Sequence, residues 1–595
     1  MSLYQQLQER ERHQNPIRVG LIGAGKFGAM YLAQIPRTPG VHLVGIADLS
    51  PDAARTNLKR VGWDMNRIQA KSIEMAVQEK SCFITDDWTK LVNAPQIDVI
   101  VECTGNPIAA VEHCLKAFSQ GKHVVNVTVE ADAFCGPLLA KKAKEANVIY
   151  SLAFGDQPAL ICDLVDWART CGFPVVAAGR GHKWLPHYAD STPDTVWNHY
   201  GLSPEQAVRG GLNPKMFNSF LDGSKPSIES TAVANATGLL VPSNGLLYPP
   251  ASVEDIPVVT RPMSEGGHLE QKGMVEVISS LEKDGRTIPY DIRMGIWVTV
   301  EAETEYIKNC FEEYKAHTDP SGRYFTLYKR WHLIGLEVGM SVASVALRKE
   351  ATGVPYCWNA DVVATAKRDL NPGDVLDGEG GYTVWGKLLP AKKSSQMGGL
   401  PLGLAHQVKV VRPVKKGQSL CWDDVAIDIA AILPTLTGAA GRLEAVRLGQ
   451  NFTALVDYAH SPDAVKRVLE AAAEISDGKV IAVLGCGGDR DKTKRTLMGQ
   501  ALHEGADIAI YTSDNPRSEK AEEILVQMVL DIDVVPPSEV IVDRAQAIRA
   551  AVNLAQAGDV VMVLGKGHEK GQEINGKVHE FDDRIELAKA IEDKK

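Results

Sequence analysis

The chain has 595 residues, enough for about four domains of ordinary size. Hydrophobic residues make up 45% and charged residues 23%, which is typical of proteins that bury large cores. The net charge of −10 and the lack of any Lys/Arg block argue against a nucleic-acid-binding surface. The start is polar, no apolar run approaches the ~20 residues that span a bilayer, and the ten cysteines show neither zinc-ligand spacing nor a disulfide framework. We therefore expect a cytoplasmic protein without a nucleic-acid or membrane partner.

The first 153 residues predict a helix followed by alternating strands and helices. The helix covers residues 2–14, and Asn15-Pro16 should end it. After the glycine motif described next, the pattern predicts strands over 98–103, 123–127 and 148–152 and helices over 107–120 and 131–147. Such alternation indicates parallel βαβ units and a doubly wound sheet, so we expect an α/β multidomain protein.

A glycine motif follows the first helix. Ile17–Gly28 is a buried-strand pattern that runs into Gly23-x-Gly25-x-x-Gly28 and then into a helix. Gly23 allows the tight turn, Gly25 lets the backbone approach a pyrophosphate, and Gly28 lets the helix pack closely on the strand. Because a helix N-terminus offers free N–H groups to phosphates, the motif predicts a dinucleotide site that includes Lys26 and Phe27.

Asp48 is the candidate for binding the ribose of the dinucleotide. A second apolar strand, His42–Ala47, ends directly before it, about 20 residues after the last glycine, where such a carboxylate is expected. The alternative is that Asp48 is a solvated helix cap. Asp48 favours NAD, whereas Ser50 and Arg55 could hold the 2′-phosphate of NADP, so the cofactor is NADP or NAD.

Thr104 and Gly105 begin a turn after the strand that ends at Cys103. The turn lies at the carboxyl edge of the predicted sheet, beside the nicotinamide. As structure, the same turn predicts a helix entry with Asn106 as N-cap and Pro107 in the first position. The two interpretations are compatible.

Residues 154–358 mix helices with loops rich in Pro, Gly, His and Trp, and such loops often bind a ligand. The densest group of cations and imidazoles there consists of Arg180, His182, Lys183 and His187. Arg suits a phosphate or carboxylate, Lys suits a developing alkoxide and His suits proton transfer, so these four are the candidate catalytic residues. The candidates of second rank are Asn213, Lys215 and Asp222. The alternative is a solvated loop.

Residues 359–430 predict a small domain rich in β structure. Two stretches, 366–376 and 411–420, each pair a basic residue with a glycine three positions before a leucine. They predict either two related turns of one β domain or two unrelated surface turns.

Residues 1 to about 430 resemble the homoserine-dehydrogenase-like oxidoreductases that carry a C-terminal SAF (β-clip) domain, which include the 1-deoxy-D-xylulose 5-phosphate reductoisomerase-like enzymes. The stretches that carry the resemblance are 17–28, 153–159, 181–184 and 371–374. It implies an NAD(P)-binding Rossmann domain over 1–153, a catalytic and oligomerisation domain over 154–358 and an SAF-like domain over 359–430. It also implies NAD(P)H-dependent reduction of a small polyhydroxylated or phosphorylated carbonyl compound, with a skeletal rearrangement as an option, in a homo-oligomer.

From about Leu436 a second βα alternation begins. Strands are predicted over 453–458, 480–484, 507–512 and 560–564, and the loops after them should meet at one carboxyl edge. Arg490, Arg517 and Glu569 lie in these loops. Two guanidinium groups and a carboxylate suit a zwitterionic ligand.

Over residues 436–595 these loops resemble the C-terminal domain of the Mur ligases, most closely the UDP-N-acetylmuramoyl-tripeptide synthetases, a family of peptidoglycan biosynthesis. The resemblance implies that meso-diaminopimelate is held by Arg490, Asn515, Arg517, Gly565 and Glu569. It also implies that Arg442, Asp457 and His460 face ATP. The alternative is four loops shaped only by helix capping.

The central phosphate-loop domain of a Mur ligase and its UDP-sugar domain have no counterpart in the pattern. The nearest match to a phosphate loop, Gly571–Val578, ends in Val and predicts a hairpin instead. ATP-dependent ligase activity is thus expected only if a central domain is supplied, and a ligase fragment or an amino-acid-binding module is the alternative to an oxidoreductase. Scattered Asp and Glu could bind a divalent cation, although no spacing singles any out. The abrupt junction near Ile429–Thr437 leaves open a gene fusion, an assembly error or a deliberate join.

Overall fold

The computed structural model describes residues 2–209, 212–426, 444–446, 448–567, 569 and 571–594. The chain divides into two compact units, residues 1–427 and 428–595. The predicted junction and the candidate Arg442 lie outside the described residues. Within the described ranges, no helix combines the length and the apolar character needed to cross a bilayer.

The first sheet has six parallel strands in the order β3-β2-β1-β4-β5-β6. The strands are β1 Ile17–Ile22, β2 Val41–Ala47, β3 Phe83–Thr85, β4 Val99–Glu102, β5 His123–Asn126 and β6 Tyr150–Leu152. The helices of this region are Leu3–Arg12, Lys26–Gln34, Pro51–Arg60, Ile73–Gln78, Thr89–Val92, Pro107–Ser119 and Val129–Glu145. Buried strand residues such as Val19, Leu21 and Ile46 form its core. The order reverses between β1 and β4, which confirms the doubly wound dinucleotide-binding sheet.

Two predicted helix starts in this region are confirmed in detail. Ser2 caps the first helix and forms a capping box with Gln5. The Asn106 side chain accepts hydrogen bonds from the N–H groups of Ile108 and Ala109, both at 3.1 Å, ahead of the helix Pro107–Ser119. Asn106 therefore fixes where the turn of Thr104 and Gly105 ends.

A second sheet of the first unit has the order β10-β9-β7-β8. Its strands are β7 Val175–His182, β8 Met274–Ser279, β9 Ile296–Glu301 and β10 Tyr324–Lys329. β7 is parallel to β8 and antiparallel to β9. The helices of this region are Gln157–Thr170, Val196–Tyr200, Pro204–Arg209, Pro214–Leu221, Ser224–Thr237, Ile256–Val259, Glu305–Glu313 and Gly339–Ala343.

The helix Ser224–Thr237 is the buried centre of the first unit. Thirteen of its 14 residues are buried, and it packs against the helices Val129–Glu145 and Gln157–Thr170. Gly223 and Gly238 flank it with φ values of 90° and 74°, in the left-handed region that glycine tolerates best. Because the helix is enclosed on all sides, its sequence shows no apolar stripe.

Residues 360–426 form the small β structure that the sequence predicts. Its strands are β11 Ala360–Ala366, β12 Val375–Asp377, β13 Val384–Pro390, β14 His406–Val410 and β15 Val425–Ala426, with one helix, Ala391–Met397. Leu370 and Val414, one from each predicted turn, exchange backbone hydrogen bonds of 2.8 and 3.0 Å. The two turns are therefore parts of one β structure, while the SAF assignment stays a prediction.

The second unit has a sheet in the order β16-β17-β21-β18-β19-β20, in which only β16 is antiparallel to its neighbour. The strands are β16 Glu444–Ala445, β17 Thr453–Asp457, β18 Val480–Cys486, β19 Ile508–Ser513, β20 Glu539–Ile541 and β21 Val560–Leu564. The helices are Pro462–Ile475, Thr493–Gly505, Ala521–Met528, Arg544–Leu554 and Asp583–Lys594. β22 Gly571–Ile574 and β23 Lys577–Glu580 form the hairpin predicted in place of a phosphate loop.

Candidate functional site

The glycine loop between β1 and the helix Lys26–Gln34 leaves room for a pyrophosphate. Gly23 has a φ of 91°, and a Cβ on Gly28 would lie 2.4 Å from the Gly23 carbonyl oxygen. A Cβ on Gly25 would meet no atom within 4 Å, and no side chain caps the helix there. Lys26 is exposed and Phe27 half-buried. The loop thus combines close packing inside with open backbone outside, as a dinucleotide site requires.

Asp48 ties the end of β2 to the glycine loop. Its carboxylate accepts hydrogen bonds from the N–H of Ala24 at 2.8 Å and from the N–H of Ser50 at 2.9 Å. Ser50, not Asp48, caps the helix Pro51–Arg60, so the alternative role of Asp48 as a cap is wrong. Arg55 pairs with Asp52 at 3.6 Å. Ribose binding by Asp48 stays a prediction.

Thr104 and Gly105 are exposed at the end of β4 and connect it to the end of β5. Thr104 Oγ1 donates to Glu102 Oε1 at 2.6 Å, and the N–H of Gly105 donates to Thr128 Oγ1 at 2.9 Å. Thr128 is two residues before Glu130. The predicted nicotinamide edge therefore adjoins the start of the helix Val129–Glu145.

Two buried residues, Asp156 and Lys225, and the half-buried Glu130 lie beyond this edge, and we call the three the Lys225 cluster. Lys225 Nζ forms an ion pair with Glu130 Oε1 at 2.5 Å. Asp156 caps the helix after β6 by accepting from the N–H of Gln157 at 2.9 Å. The ends of β5 and β6 and the start of the helix Ser224–Thr237 thus contribute two carboxyl groups and an ammonium group to one edge.

The charges around Lys225 favour its ionised form. Burial lowers the pKa of Lys225, but Glu130 and Asp156 outweigh it, so the pKa lies above its ordinary value. Burial raises the pKa of Asp156, against the opposing charge of Lys225. Burial and the nearby Glu130 raise the pKa of Glu379 to about 8. Carboxyl groups with raised pKa values beside a charged ammonium can take part in proton transfer.

Two of the four predicted catalytic residues, Arg180 and His182, are buried on β7 beside this cluster. The Arg180 guanidinium forms an ion pair with Glu229, one helical turn after Lys225. Burial lowers the pKa of Arg180 to about 10, and Asp156 opposes that shift. Burial and Arg180 hold the pKa of His182 well below its ordinary value.

The other two predicted catalytic residues lie past the end of β7. Lys183 Nζ donates to the carbonyl oxygen of His199 at 2.6 Å, and the exposed His187 has its ring 5.8 Å from the ring of His199. The structure therefore divides the four predicted residues into two groups.

The residues of second rank have structural partners. Asn213 caps the helix Pro214–Leu221, Lys215 Nζ donates to the Asp377 carbonyl oxygen, and Asp222 pairs with the buried Lys367 at 2.8 Å.

The sequence did not single out Glu130 or Lys225. Asp156 lies in the 153–159 stretch that carries the family resemblance, but the sequence pattern does not indicate a catalytic or binding role for it. A signal for Lys225 is its position two residues after Gly223, at the start of a helix without an apolar stripe.

In the second unit, three of the predicted ligand-binding residues meet at the carboxyl edge. Asn515 Nδ2 donates to Glu569 Oε2 at 2.8 Å, while Asn515 Oδ1 accepts from Lys566 Nζ at 3.0 Å. Gly565 precedes Lys566 with a φ of 112°. Burial raises the pKa of Glu569, but Asn515 and Lys566 outweigh it, so the pKa lies below its ordinary value. The fully buried Lys566, which the sequence did not single out, thus keeps Glu569 ionised.

Arg490 and Arg517 flank the loop after β18. A Cβ on Gly487 would lie 3.0 Å from Arg517 Nη1 and 3.7 Å from Arg490 Cγ. Arg517 Nη1 donates to the Gly488 carbonyl oxygen at 2.7 Å, and Arg490 is exposed. The N–H of Arg517 also donates to the Glu573 carbonyl oxygen at 3.0 Å, which joins this loop to the hairpin.

The residues predicted to face ATP lie at the end of β17. Asp457 Oδ1 accepts from the N–H of Ala459 at 2.7 Å. His460 is exposed, and its ring lies 4.7 Å from that of Tyr458. In the part of the chain that the structure describes, no group of three or more His, Cys, Asp or Glu side chains could hold a metal ion.

The fold and these sites define an NAD(P)-dependent oxidoreductase joined to a second α/β unit. Comparison with protein families gives the same division. Residues 23–152 match the homoserine dehydrogenase NAD binding domain, residues 155–338 match the catalytic domain of the oxidoreductase DRL, and residues 441–567 match the glutamate ligase domain of the Mur ligases. The chain therefore combines homoserine-dehydrogenase-like and DRL oxidoreductase domains with a Mur ligase C-terminal domain.

Curated relatives match the second unit. The UDP-N-acetylmuramoyl-L-alanyl-D-glutamate--2,6-diaminopimelate ligase of Streptomyces coelicolor is 53% identical over 171 residues, which is 28% of this chain and 33% of the ligase. That of Caulobacter vibrioides is 47% identical over 194 residues, 32% of this chain and 39% of the ligase. The chain thus spans only about a third of these ligases. A solved homoserine dehydrogenase from Thiobacillus denitrificans is 15% identical with a TM-score of 0.33, covering 56% of this chain and 73% of that one.

Proposed function

We propose that the first unit catalyses NAD(P)H-dependent reduction of a carbonyl group in a small polyhydroxylated or phosphorylated compound. The observation that carries the proposal is the ion pair of Lys225 with Glu130 at the carboxyl edge of the first sheet. Glu130 lies two residues after Thr128, which bonds Gly105 at the predicted nicotinamide position. In this proposal, the cluster acts as the acid–base group beside the hydride acceptor.

The chemistry needs a hydride and a proton. When bound, NAD(P)H would supply the hydride to the carbonyl carbon, and the π electron pair of the carbonyl would move onto its oxygen. Lys225 donates a hydrogen bond to that oxygen and then gives it a proton, which completes the hydroxyl group. Glu130 and Asp156 hold the ammonium in place and return a proton to it from solvent.

Lys183 is also predicted to stabilise the charge that develops on the carbonyl oxygen. Two variants distinguish its role from that of Lys225. Because an oxyanion-type donor contributes about 10²–10³ in turnover, Lys225→Met should lower kcat by that factor. The measurement is the rate of NAD(P)H consumption with candidate sugars and sugar phosphates. If Lys183→Met lowers kcat and Lys225→Met does not, Lys183 is the catalytic lysine instead.

Cofactor binding is the first experiment. The protein is titrated with NADPH and with NADH while the nicotinamide fluorescence is followed, and Gly25→Val is the control. Saturable binding by the wild type that the variant loses supports the proposal, and the two affinities rank the cofactors. Binding of neither cofactor would contradict it. The carbon skeleton of the product, determined by NMR, tests for a rearrangement, and light scattering tests the proposed homo-oligomer.

For the second unit, we propose binding of meso-diaminopimelate, with ligase activity only if a central ATP-binding domain is supplied. The supporting observation is the Asn515–Lys566–Glu569 group, which presents an ionised carboxylate beside Arg517 and Arg490. Calorimetric titration with meso-diaminopimelate and with L-lysine tests it, because lysine lacks the second carboxylate. We expect Arg517→Met to weaken binding of meso-diaminopimelate at least about tenfold, with the exposed Arg549→Met as control. Equal affinity for lysine would contradict the proposal.

A further inference from the structure

The carboxyl end of β7 and the start of β9 place two cationic residues side by side. The strands are antiparallel, with Arg180 opposite Ile296, and the N–H of Gly181 donates to the Gly295 carbonyl oxygen at 3.1 Å. Lys183 is the first residue after β7, and Arg293 comes three residues before β9. Both side chains therefore start from the same edge of the second sheet.

The ring of Tyr200 is close to both cations. Lys183 Nζ is 5.7 Å and Arg293 Cζ 5.9 Å from the centroid of the Tyr200 ring. Both cationic residues are half-buried. Burial and the charge of Arg293 lower the pKa of Lys183, as expected for two positive charges in one partly desolvated place.

Neither Lys183 nor Arg293 forms a side-chain ion pair with a carboxylate in the described ranges, and the nearby Asp291 carboxylate accepts from the backbone N–H of Arg293 at 2.7 Å. The guanidinium of Arg293 has no hydrogen-bond or ion-pair partner there, and Lys183 Nζ bonds only the carbonyl oxygen of His199. The neighbouring buried cations differ, because each has a carboxylate of its own. These pairs are Arg180 with Glu229, Lys225 with Glu130 and Lys367 with Asp222. Since partly buried charges normally have partners, the Lys183–Arg293 pair lacks an anion.

Three polar rings lie close to one another near the helix Val196–Tyr200, in which the carbonyl oxygen of His199 accepts from Lys183. The rings of His187 and Tyr188 are 4.7 Å apart, and that of His199 lies 4.9 Å from Tyr188. Imidazole and phenol groups can donate hydrogen bonds to an anion that the two cations attract.

We propose that Lys183 and Arg293 form a subsite for a phosphoryl group of the substrate. This deepens the proposed function and rests on it, since the substrate carbonyl would lie at the Lys225 cluster. Burial raises the pKa of Tyr200, and the charges of the nearby Arg293 and Arg180 oppose that shift. Arg180 in turn acts on Asp156, so the subsite adjoins the cluster. A phosphate monoester, with a charge near −2 at neutral pH, matches two cations better than a carboxylate does.

Inorganic phosphate is the probe. It is titrated calorimetrically into the full chain with saturating NADH present, so that the glycine loop is occupied. We expect Arg293→Met and Lys183→Met each to weaken phosphate binding at least about tenfold. The matched control is Arg286→Met in the same β8–β9 connection, where Arg286 is exposed and already paired with Asp284 at 2.7 Å. Wild-type affinity in Arg293→Met, or acetate binding as tight as phosphate, would overturn the subsite.

Lys183 could instead serve only to bind the C-terminal carbonyl of the helix Val196–Tyr200. In that case Lys183→Met lowers the melting temperature while phosphate affinity stays at the wild-type value, which also overturns the proposal. Arg293→Lys keeps the charge and should retain most of the phosphate affinity, which shows that loss in Arg293→Met is not misfolding. NADH binding is measured separately on each variant. If the wild type binds phosphate at this site but no dinucleotide, the proposed reduction fails and the subsite stands.

Discussion

The carboxylate of Asp48 accepts a hydrogen bond from the backbone N–H of Ala24 at 2.8 Å, and this bond joins the end of β2 to the glycine loop. A single side chain therefore both shapes the loop and sets the charge next to it. The same carboxylate would face the ribose of a bound dinucleotide.

Removing the charge of Asp48 should change the choice of cofactor. Asp48→Asn keeps an oxygen that can accept from Ala24 but no longer repels a 2′-phosphate. We expect affinity for NADPH to rise relative to NADH by about tenfold, measured by fluorescence titration. Glu79→Gln, at an exposed position, is the control. An unchanged ratio would mean that Asp48 does not face the 2′ position.

Two glycines of the loop should separate cofactor binding from stability. Gly25→Val should abolish dinucleotide binding without lowering the melting temperature, because its Cβ meets nothing within 4 Å. Gly28→Ala should lower stability by about 1–3 kcal/mol, because its Cβ would lie 2.4 Å from the Gly23 carbonyl oxygen. Tryptophan fluorescence reports the first unit alone, since all ten tryptophans lie between Trp63 and Trp422. A Gly25 variant that unfolds early would disprove the first expectation.

Asp132 should make the stability of the first unit depend on pH. It is fully buried, Tyr150 donates to its Oδ2 at 3.0 Å, and burial raises its pKa from 3.8 to about 7. The folded state thus holds the proton of Asp132 more tightly than the unfolded state does. The free energy of unfolding therefore falls as the pH rises towards 7, and above pH 7 the full cost of ionising the buried carboxyl group remains. Asp132→Asn does not titrate there.

We expect the melting temperature of Asp132→Asn minus that of the wild type to be larger at about pH 8 than at about pH 5. Thermal unfolding followed by tryptophan fluorescence measures it. A difference independent of pH would show that the carboxyl group does not titrate in this range.

The second unit should depend on the pair of Arg544 and Asp583. Both side chains are fully buried, and Arg544 Nη2 lies 2.7 Å from Asp583 Oδ2. Arg544 Nη2 also donates to the Leu564 carbonyl oxygen at 2.8 Å. Asp583→Ala leaves a buried guanidinium unpaired and should cost about 3–5 kcal/mol. Urea unfolding followed by circular dichroism should show the loss, while the tryptophan transition stays in place. A shift of both transitions would contradict an effect confined to the second unit.

Local patterns predicted much of the fold. The βα alternation, the Asn106 cap and the hairpin at Gly571–Glu580 follow from residue spacing and turn chemistry within a few positions of each other. The three-residue strand β3 was missed.

The Lys225 cluster could not be predicted in the same way. Glu130, Asp156 and Lys225 come from three helices far apart in sequence, and only packing brings them together. Arg180 shows a different limit of sequence-based prediction. The sequence identifies Arg180 as a cation but does not show that Glu229 neutralises it. Hydrophobic periodicity also does not predict the helix Ser224–Thr237, because a helix that is buried on all sides has no polar face.

That enclosed helix also constrains how the protein can change in evolution. Lys225 and Glu229 are one turn apart, and each is bound to a partner on a different element. Each residue of an α-helix turns by about 100°, so one residue inserted between them would swing one charge away from its partner. Gly223 and Gly238 end the helix on both sides and leave no spare turn to absorb the change. We therefore expect relatives to vary in side chains along this helix but to keep its length.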